Sequence, residues 1–173
     1  RTDGTAAWRV RPFFLNSNPY NYLELNNTNA IANLNTSDGT MAMPTSTVFS
    51  NNWNGSIGGQ GDIIAYCWHS VSKYSKIGSY LGNGSTTGPI VSTGFKPGWL
   101  MVKNTANGAT SWGIVDSKRS PVNPRNLYLF ADWAGAESSS GDVDFNDTGF
   151  QIKSTSNFLN QSGSEILYMA FAE

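Results

Sequence analysis

Charge is what this sequence has least of. Of 173 residues, 11 are Lys or Arg and 12 are Asp or Glu, so charged residues make up 13%, against roughly 25% in an average soluble domain. Glu occurs four times, and His and Cys once each. Each scarcity excludes something. A coiled coil draws heavily on Glu, Lys, Ala and Leu. One Cys cannot form an intrachain disulfide, so nothing points to an oxidising compartment. The net charge is -1 and no more than two basic residues are adjacent, which excludes the basic stripe of a nucleic-acid binder. No apolar run approaches the roughly 18 residues of a membrane span, and no signal-peptide pattern is visible. The chain begins at Arg1 rather than Met, so an upstream portion is expected.

Neutral polar residues fill the gap left by charge. There are 19 Asn and 35 Ser plus Thr. Aromatic residues reach 13%, too many for a disordered chain. A chain of this length buries roughly 70% of its extended surface. It needs neither a metal nor a disulfide to fold, and no cofactor is expected.

Short apolar clusters alternate with Gly, Asn, Ser and Thr clusters. No window of 11 or more residues sustains helical spacing, so the chain reads as all-β with little or no helix. Eleven short strands are expected, at 8–15, 22–25, 45–50, 63–71, 75–81, 89–93, 99–103, 112–116, 126–131, 149–154 and 165–172. That spacing suggests an antiparallel sandwich or jelly-roll. Asn107-Gly108, between the strands at 99–103 and 112–116, is the clearest hairpin turn. Residues 1–60 hold more than half of the Asn and shorter strands. They form either a small lobe or strands that complete the same sandwich, and 61–173 form the main domain.

Two stretches are apolar on both faces: Ile64, Tyr66 and Trp68 with their neighbours, and Ile166, Tyr168 and Phe171 with theirs. Such strands belong in a layered core or at a subunit contact. They also resemble each other. Asp62 to His69 and Glu165 to Ala172 both open acid-Ile-aliphatic and carry a small-aromatic pair near the end, a hint of duplication.

Catalytic patterns are scarce. His69 reads as a strand-end histidine with a hydrogen-bonded ring, and no Gly-x-Ser-x-Gly elbow exists to use it. Cys67, two residues away, reads as a small hydrophobe. The run Asp142-Val143-Asp144-Phe145-Asn146-Asp147 begins like a calcium loop. It lacks the Gly and Glu that an EF-hand requires at its sixth and twelfth positions. Asp142, Asp144 and Asn146 remain a weak candidate for an irregular metal site, with a polar turn as the plain alternative. A glycosidase needs two convergent carboxylates, and nothing in the spacing pairs Asp116, Asp132, Glu137, Asp142 or Asp144. The Gly-rich run 82–89 lacks the Lys of a phosphate loop and reads as a turn. Asp116 and Arg119 are placed to pair across a turn. Trp53 with Asn54, and Trp133 with Asp132, put an indole beside polar side chains in loops. Such a pairing stacks on a sugar ring and bonds its hydroxyls, or folds back over a sheet edge.

Several stretches together carry a family resemblance: TSTVF (45–49), IAYCWHSV (64–71), YSKIGSYLGNG (74–84), TGFKPGWLMVK (93–103), DSKR (116–119), VDF (143–145) with Gly149-Phe150, and Ser162-Gly163 ahead of YMAFAE (168–173). From about residue 22 onward the chain resembles an uncharacterised β-rich domain of phage virion proteins. That domain occurs in tail-fibre-like and other structural proteins of marine phages, including those of cyanobacteria. It often carries Phe where this chain has Trp68 and Ile77. The resemblance implies no catalytic residue. It implies a virion component, made in the host bacterial cytoplasm and assembled with sister subunits (a homotrimer, if fibre-borne) and other virion proteins. Loops 51–61, 82–88, 117–125 and 131–147 would face outward. The alternative is a carbohydrate-binding module for host glycan. In seawater, low charge suits either role, because salt near 1 M shortens the Debye length to about 3 Å.

Overall fold

A computed structural model describes residues 7–15, 17–34, 41–49 and 64–173. The chain divides into two compact units, residues 1–25 with 31–67, and residues 26–30 with 68–173. The structure is nearly all-β, with antiparallel sheets of three and eight strands.

The first unit holds β1 (Arg9–Val10), β2 (Asn21–Glu24) and β3 (Ala32–Asn33), in that order across the sheet. Arg9 lies directly opposite Glu24. It pairs with that carboxylate at 3.8 Å and lies 4.1 Å over the Tyr22 ring. Only two residues of the strand expected at 8–15 are strand, and the one expected at 45–50 is absent over 45–49. There the Thr45 hydroxyl accepts the N–H groups of Thr47 (3.3 Å) and Val48 (3.0 Å). This local hydrogen bonding competes with a sheet ladder and closes a turn.

The second unit is one curled sheet: β4 (Ser75–Leu81), β11 (Glu165–Ala172), β6 (Pro97–Asn104), β7 (Gly113–Asp116), β8 (Arg125–Phe130), β9 (Ser138–Asn146), β10 (Gly149–Ile152) and β5 (Ile90–Ser92). In a flat sheet β4 and β10 would lie about 29 Å apart, at roughly 4.8 Å per strand. Yet Phe150 on β10 packs edge-on to Tyr80 on β4 at 5.9 Å and to Tyr168 on β11 at 5.3 Å. The sheet therefore folds over onto itself, and its inward faces make the core of a sandwich. Leu100, Val102, Val115, Tyr128, Val143, Ile152 and Ile166 fill that core with no exposure.

A one-turn helix, α1 (Asn157–Asn160), sits against the core through buried Phe158 and Leu159. Asn160 is fully buried. Its amide nitrogen lies within hydrogen-bonding distance of Asn83 Oδ1 (3.0 Å), Ser85 O (2.7 Å) and Ser154 O (2.8 Å), and its Oδ1 accepts the Asn83 N–H at 2.8 Å. This clamp shapes the Gly-rich connection 82–89, which carries the chain from β4 to β5, the two ends of the strand order. Gly88 leaves that passage open, because a Cβ there would come within 2.5 Å of the Ile152 carbonyl oxygen.

β9 was not expected. Its first half, Ser138-Ser139-Ser140-Gly141, carries no apolar side chain, and only Val143 and Phe145 point inward. Gly141 has φ +81°, and the register of β8 with β9 slips between Arg125 and Leu127. β6 and β7 do form the expected hairpin. Its connection is longer than a two-residue Asn-Gly turn, and Asn107 Oδ1 and O accept the Ala109 N–H (2.9 Å) and the Thr110 hydroxyl (2.9 Å).

Candidate functional site

The glycan-platform expectation divides in two. Trp53 and Asn54, with loop 51–61, lie outside the described residues. Trp133 is described and is 56% exposed. It follows β8, where the Trp133 N–H donates to Phe130 O at 3.3 Å and the Ala131 N–H to Trp112 O at 3.1 Å. Its indole ring lies 5.9 Å from the Phe130 ring and directly against Gly135, where a Cβ would come within 2.2 Å of the ring. A glycine at 135 is what lets the indole lie down.

Asp132 does a different job. Its Oδ1 accepts the Trp112 N–H at 2.7 Å, securing the start of β7. Beside Phe130 lies a shallow groove of about 230 Å³, lined also by Thr110, Ser111, Ser156, Asn157 and Phe158. Sequence reading missed Ser111, Ser156 and Asn157. They are common polar residues in linkers, and only the fold brings 110–111 beside 156–158.

The weak metal candidate changes character. Asp142, Asp144 and Asn146 are alternate residues of β9, on the face opposite Val143 and Phe145. They form a row along a strand and not an enclosing loop. The expected polar turn shrinks to Asp147-Thr148, since Asn146 and Gly149 already pair. Among the described residues no three His, Cys, Asp or Glu side chains group to hold a metal.

Two carboxylates do converge, on a cation. The Arg119 Nε meets Asp116 Oδ2 at 2.6 Å and its Nη1 meets Glu137 Oε2 at 2.9 Å. Burial raises the Asp116 pKa, but the Arg119 and Lys118 N–H groups and the Arg119 guanidinium outweigh it and hold the carboxyl below its ordinary value. One guanidinium pairs with both carboxylates, so they meet through an ion-pair network that keeps one net negative charge.

The two stretches expected to be apolar on both faces part company. Ile166 and Tyr168 on β11 point into the core, while Phe171 is half-buried on the outward face against Tyr74 (5.9 Å) and Trp99 (5.7 Å). Residues 64–70 are not a strand and not core. Ile64, Tyr66 and Trp68 are 62, 61 and 57% exposed, and Cys67 is exposed as well. The reason is local. Val71 bridges to Ser75, and the Ser70 hydroxyl then accepts the Ile77 N–H (3.1 Å) and donates to its carbonyl (3.4 Å). It takes the place of a pairing main chain. His69 is exposed, with Nδ1 3.0 Å from the Ser70 carbonyl.

The buried ammonium of Lys103 is a further feature that the sequence did not announce. It donates to Thr28 O at 2.9 Å and to Thr110 O, tying residues 26–30 to the hairpin that follows β6. Burial lowers its pKa to about 8, against a smaller opposing pull from Asp132.

A family described as a domain of unknown function, DUF7483, matches residues 1–173. The chain belongs to that family. No curated protein and no solved structure matches it. The family's description assigns no chemistry, so a function for this DUF7483 domain is argued from its own surface. Among the described residues no helix is long and apolar enough to cross a membrane.

Proposed function

We propose that this domain is a non-catalytic structural module of a phage particle, built into a tail fibre or other appendage. It works by assembly with copies of itself and by contact with the host surface. The observation that carries this reading is the placement of large apolar side chains at the surface of a charge-poor β scaffold. Ile64, Tyr66, Trp68 and Tyr74 are each more than half exposed within an 11-residue span. Large apolar side chains left exposed at that density along the chain favour an interaction role. The resemblance of the 74–84 and 93–103 motifs to virion proteins supports the same reading. Mass spectrometry of purified particles from a phage encoding this chain should find its peptides at the level of other structural proteins. Finding them only in the particle-free lysate would overturn the proposal.

A second reading rests on Trp133. An indole lying on Gly135, next to a groove edged by Ser111, Ser156 and Asn157, suits a sugar ring and its hydroxyls. A glycan array is expected to give hits that weaken at least tenfold in Trp133→Ala. An array without hits, or hits that the substitution leaves unchanged, would remove this reading.

A further inference from the structure

The groove beside Phe130 is set apart by what its polar side chains leave undone. Neutral side chains around it are committed to the fold. Asn104 donates to Asn157 O at 2.7 Å, Asn107 to Gln161 Oε1 at 2.9 Å, and the Thr110 hydroxyl to Asn107 O at 2.9 Å. Ser111, Ser156 and Asn157 line the groove, and among the described residues their side chains have no hydrogen-bond partner. Ser156 stands at the N-cap of α1, where a serine hydroxyl ordinarily accepts a main-chain N–H, yet it makes no such bond. Two hydroxyls and one carboxamide are therefore available to a ligand.

The rest of the lining is largely apolar. The Phe130 and Phe158 rings meet edge-on, 5.8 Å apart and inclined by 75°, and form a corner. No residue lining the groove is charged. Lys103 commits its ammonium to the Thr28 and Thr110 carbonyls, and Asp132 accepts the Trp112 N–H. The volume is about 230 Å³, below the roughly 300 Å³ at which sites begin to bury a drug-sized ligand. There is room for one substituent of a sugar and not for a run of sugar rings.

We propose that this groove takes the acetamido group of an uncharged N-acetylhexosamine whose ring lies on Trp133. The inference rests on the sugar reading of Trp133 above and names the class of sugar. An acetamido group has one N–H donor, one carbonyl acceptor and one methyl. The Asn157 carboxamide offers the complementary acceptor and donor, and the Ser111 and Ser156 hydroxyls offer either. The corner between the two phenyl rings takes the methyl. Phe130 joins the two halves of the site, since its ring lines the groove and lies 5.9 Å from the Trp133 indole. A plain hexose would set a hydroxyl against the rings, where it has no partner. A carboxylated or sulfated sugar would find no cation in the groove to offset its desolvation.

The test is a saturation-transfer NMR titration of the whole chain with the methyl glycosides of N-acetylglucosamine, N-acetylgalactosamine, glucose and glucuronic acid. At least one N-acetyl glycoside should bind about tenfold more tightly than the other two sugars, the scale of a net hydrogen bond or two. Its acetyl methyl should receive the strongest saturation. Ser156→Ala and Asn157→Ala should each cut that preference severalfold and leave glucoside binding unchanged. Neither side chain bonds within the chain, so both variants should keep the wild-type melting temperature. Equal binding of the glucoside, a preference that survives both substitutions, or the glucuronide as the tightest ligand would overturn the acetamido site. If the glycosides bind equally and Trp133→Ala weakens them all, only the groove inference falls and the indole platform stands. If none of them binds, both fall.

Discussion

Asn160 shows how much one neutral side chain can hold. It is buried and bonds three stretches of backbone or side chain, at Asn83, Ser85 and Ser154. Asn160→Asp keeps the shape but removes both donors, turning an oxygen toward the Ser85 and Ser154 carbonyls. A buried group left without its partner costs roughly 1–3 kcal/mol, so Asp should destabilise by at least about 3 kcal/mol in a urea melt. A melt unchanged within error would mean that the clamp is not made. Lys103 gives a pH signature. Its folded pKa is about 8 and its ordinary value is 10.5. Between those values the unfolded chain holds a proton that the folded chain has released, so stability rises with pH across that window. The gain is at most on the order of 3 kcal/mol. Above pH 10 the sign reverses, because burial raises the Tyr80 and Tyr128 phenols and the unfolded chain ionises first. Stability by denaturant titration should peak near pH 10, and Lys103→Met should remove the rise from pH 8. A wild-type profile that is flat from pH 7 to 10 would contradict this.

Strands were legible where side chains alternate or run apolar. Residues 75–81 and 165–172 match β4 and β11 end to end, and the β6–β7 hairpin sits where Asn107-Gly108 pointed. β9 escaped notice because a run of Ser and Gly has no hydrophobic period, and its neighbours β8 and β10 recruit it through backbone bonds. Residues 45–49 and 64–70 mislead in the opposite direction. Their strand-like composition is overridden by a side chain, Thr45 or Ser70, that takes the backbone partners a ladder would use. The same contrast explains the candidate site. Trp133 was visible as an aromatic in a polar loop, whereas Ser156 and Asn157 gain meaning only from what the fold sets beside them. β9 also carries a prediction. Gly141 has φ +81°, and a Cβ there would reach 2.6 Å from Leu159 Cδ1, while Gly94 has the same φ with open space around it. Gly94→Ala should cost only the backbone strain, about 1 kcal/mol. Gly141→Ala adds overpacking of roughly 1–3 kcal/mol. Equal thermal shifts for the two variants would show that β9 is not packed against α1 in this way.

At the scale of the molecule, scarce charge and abundant Asn, Ser and Thr describe one strategy. Neutral hydrogen bonds set the loops, as at Asn160, Asn123 and Asn104. Some of the few ions are spent on internal pairs such as Asp116–Arg119–Glu137. Large apolar side chains also lie exposed among the described residues, Ile64, Tyr66, Trp68 and Trp133 among them. Contacts of that kind do not depend on the ionic atmosphere. The central claim is that this DUF7483 domain works by assembly through such surface. Sedimentation velocity of the whole chain from about 0.1 M to about 1 M salt tests it, since the Debye length falls from roughly 10 Å to 3 Å across that range. The account predicts an oligomer whose association constant holds steady or rises with salt. A chain that is monomeric throughout, or an oligomer that falls apart as salt rises, would contradict it.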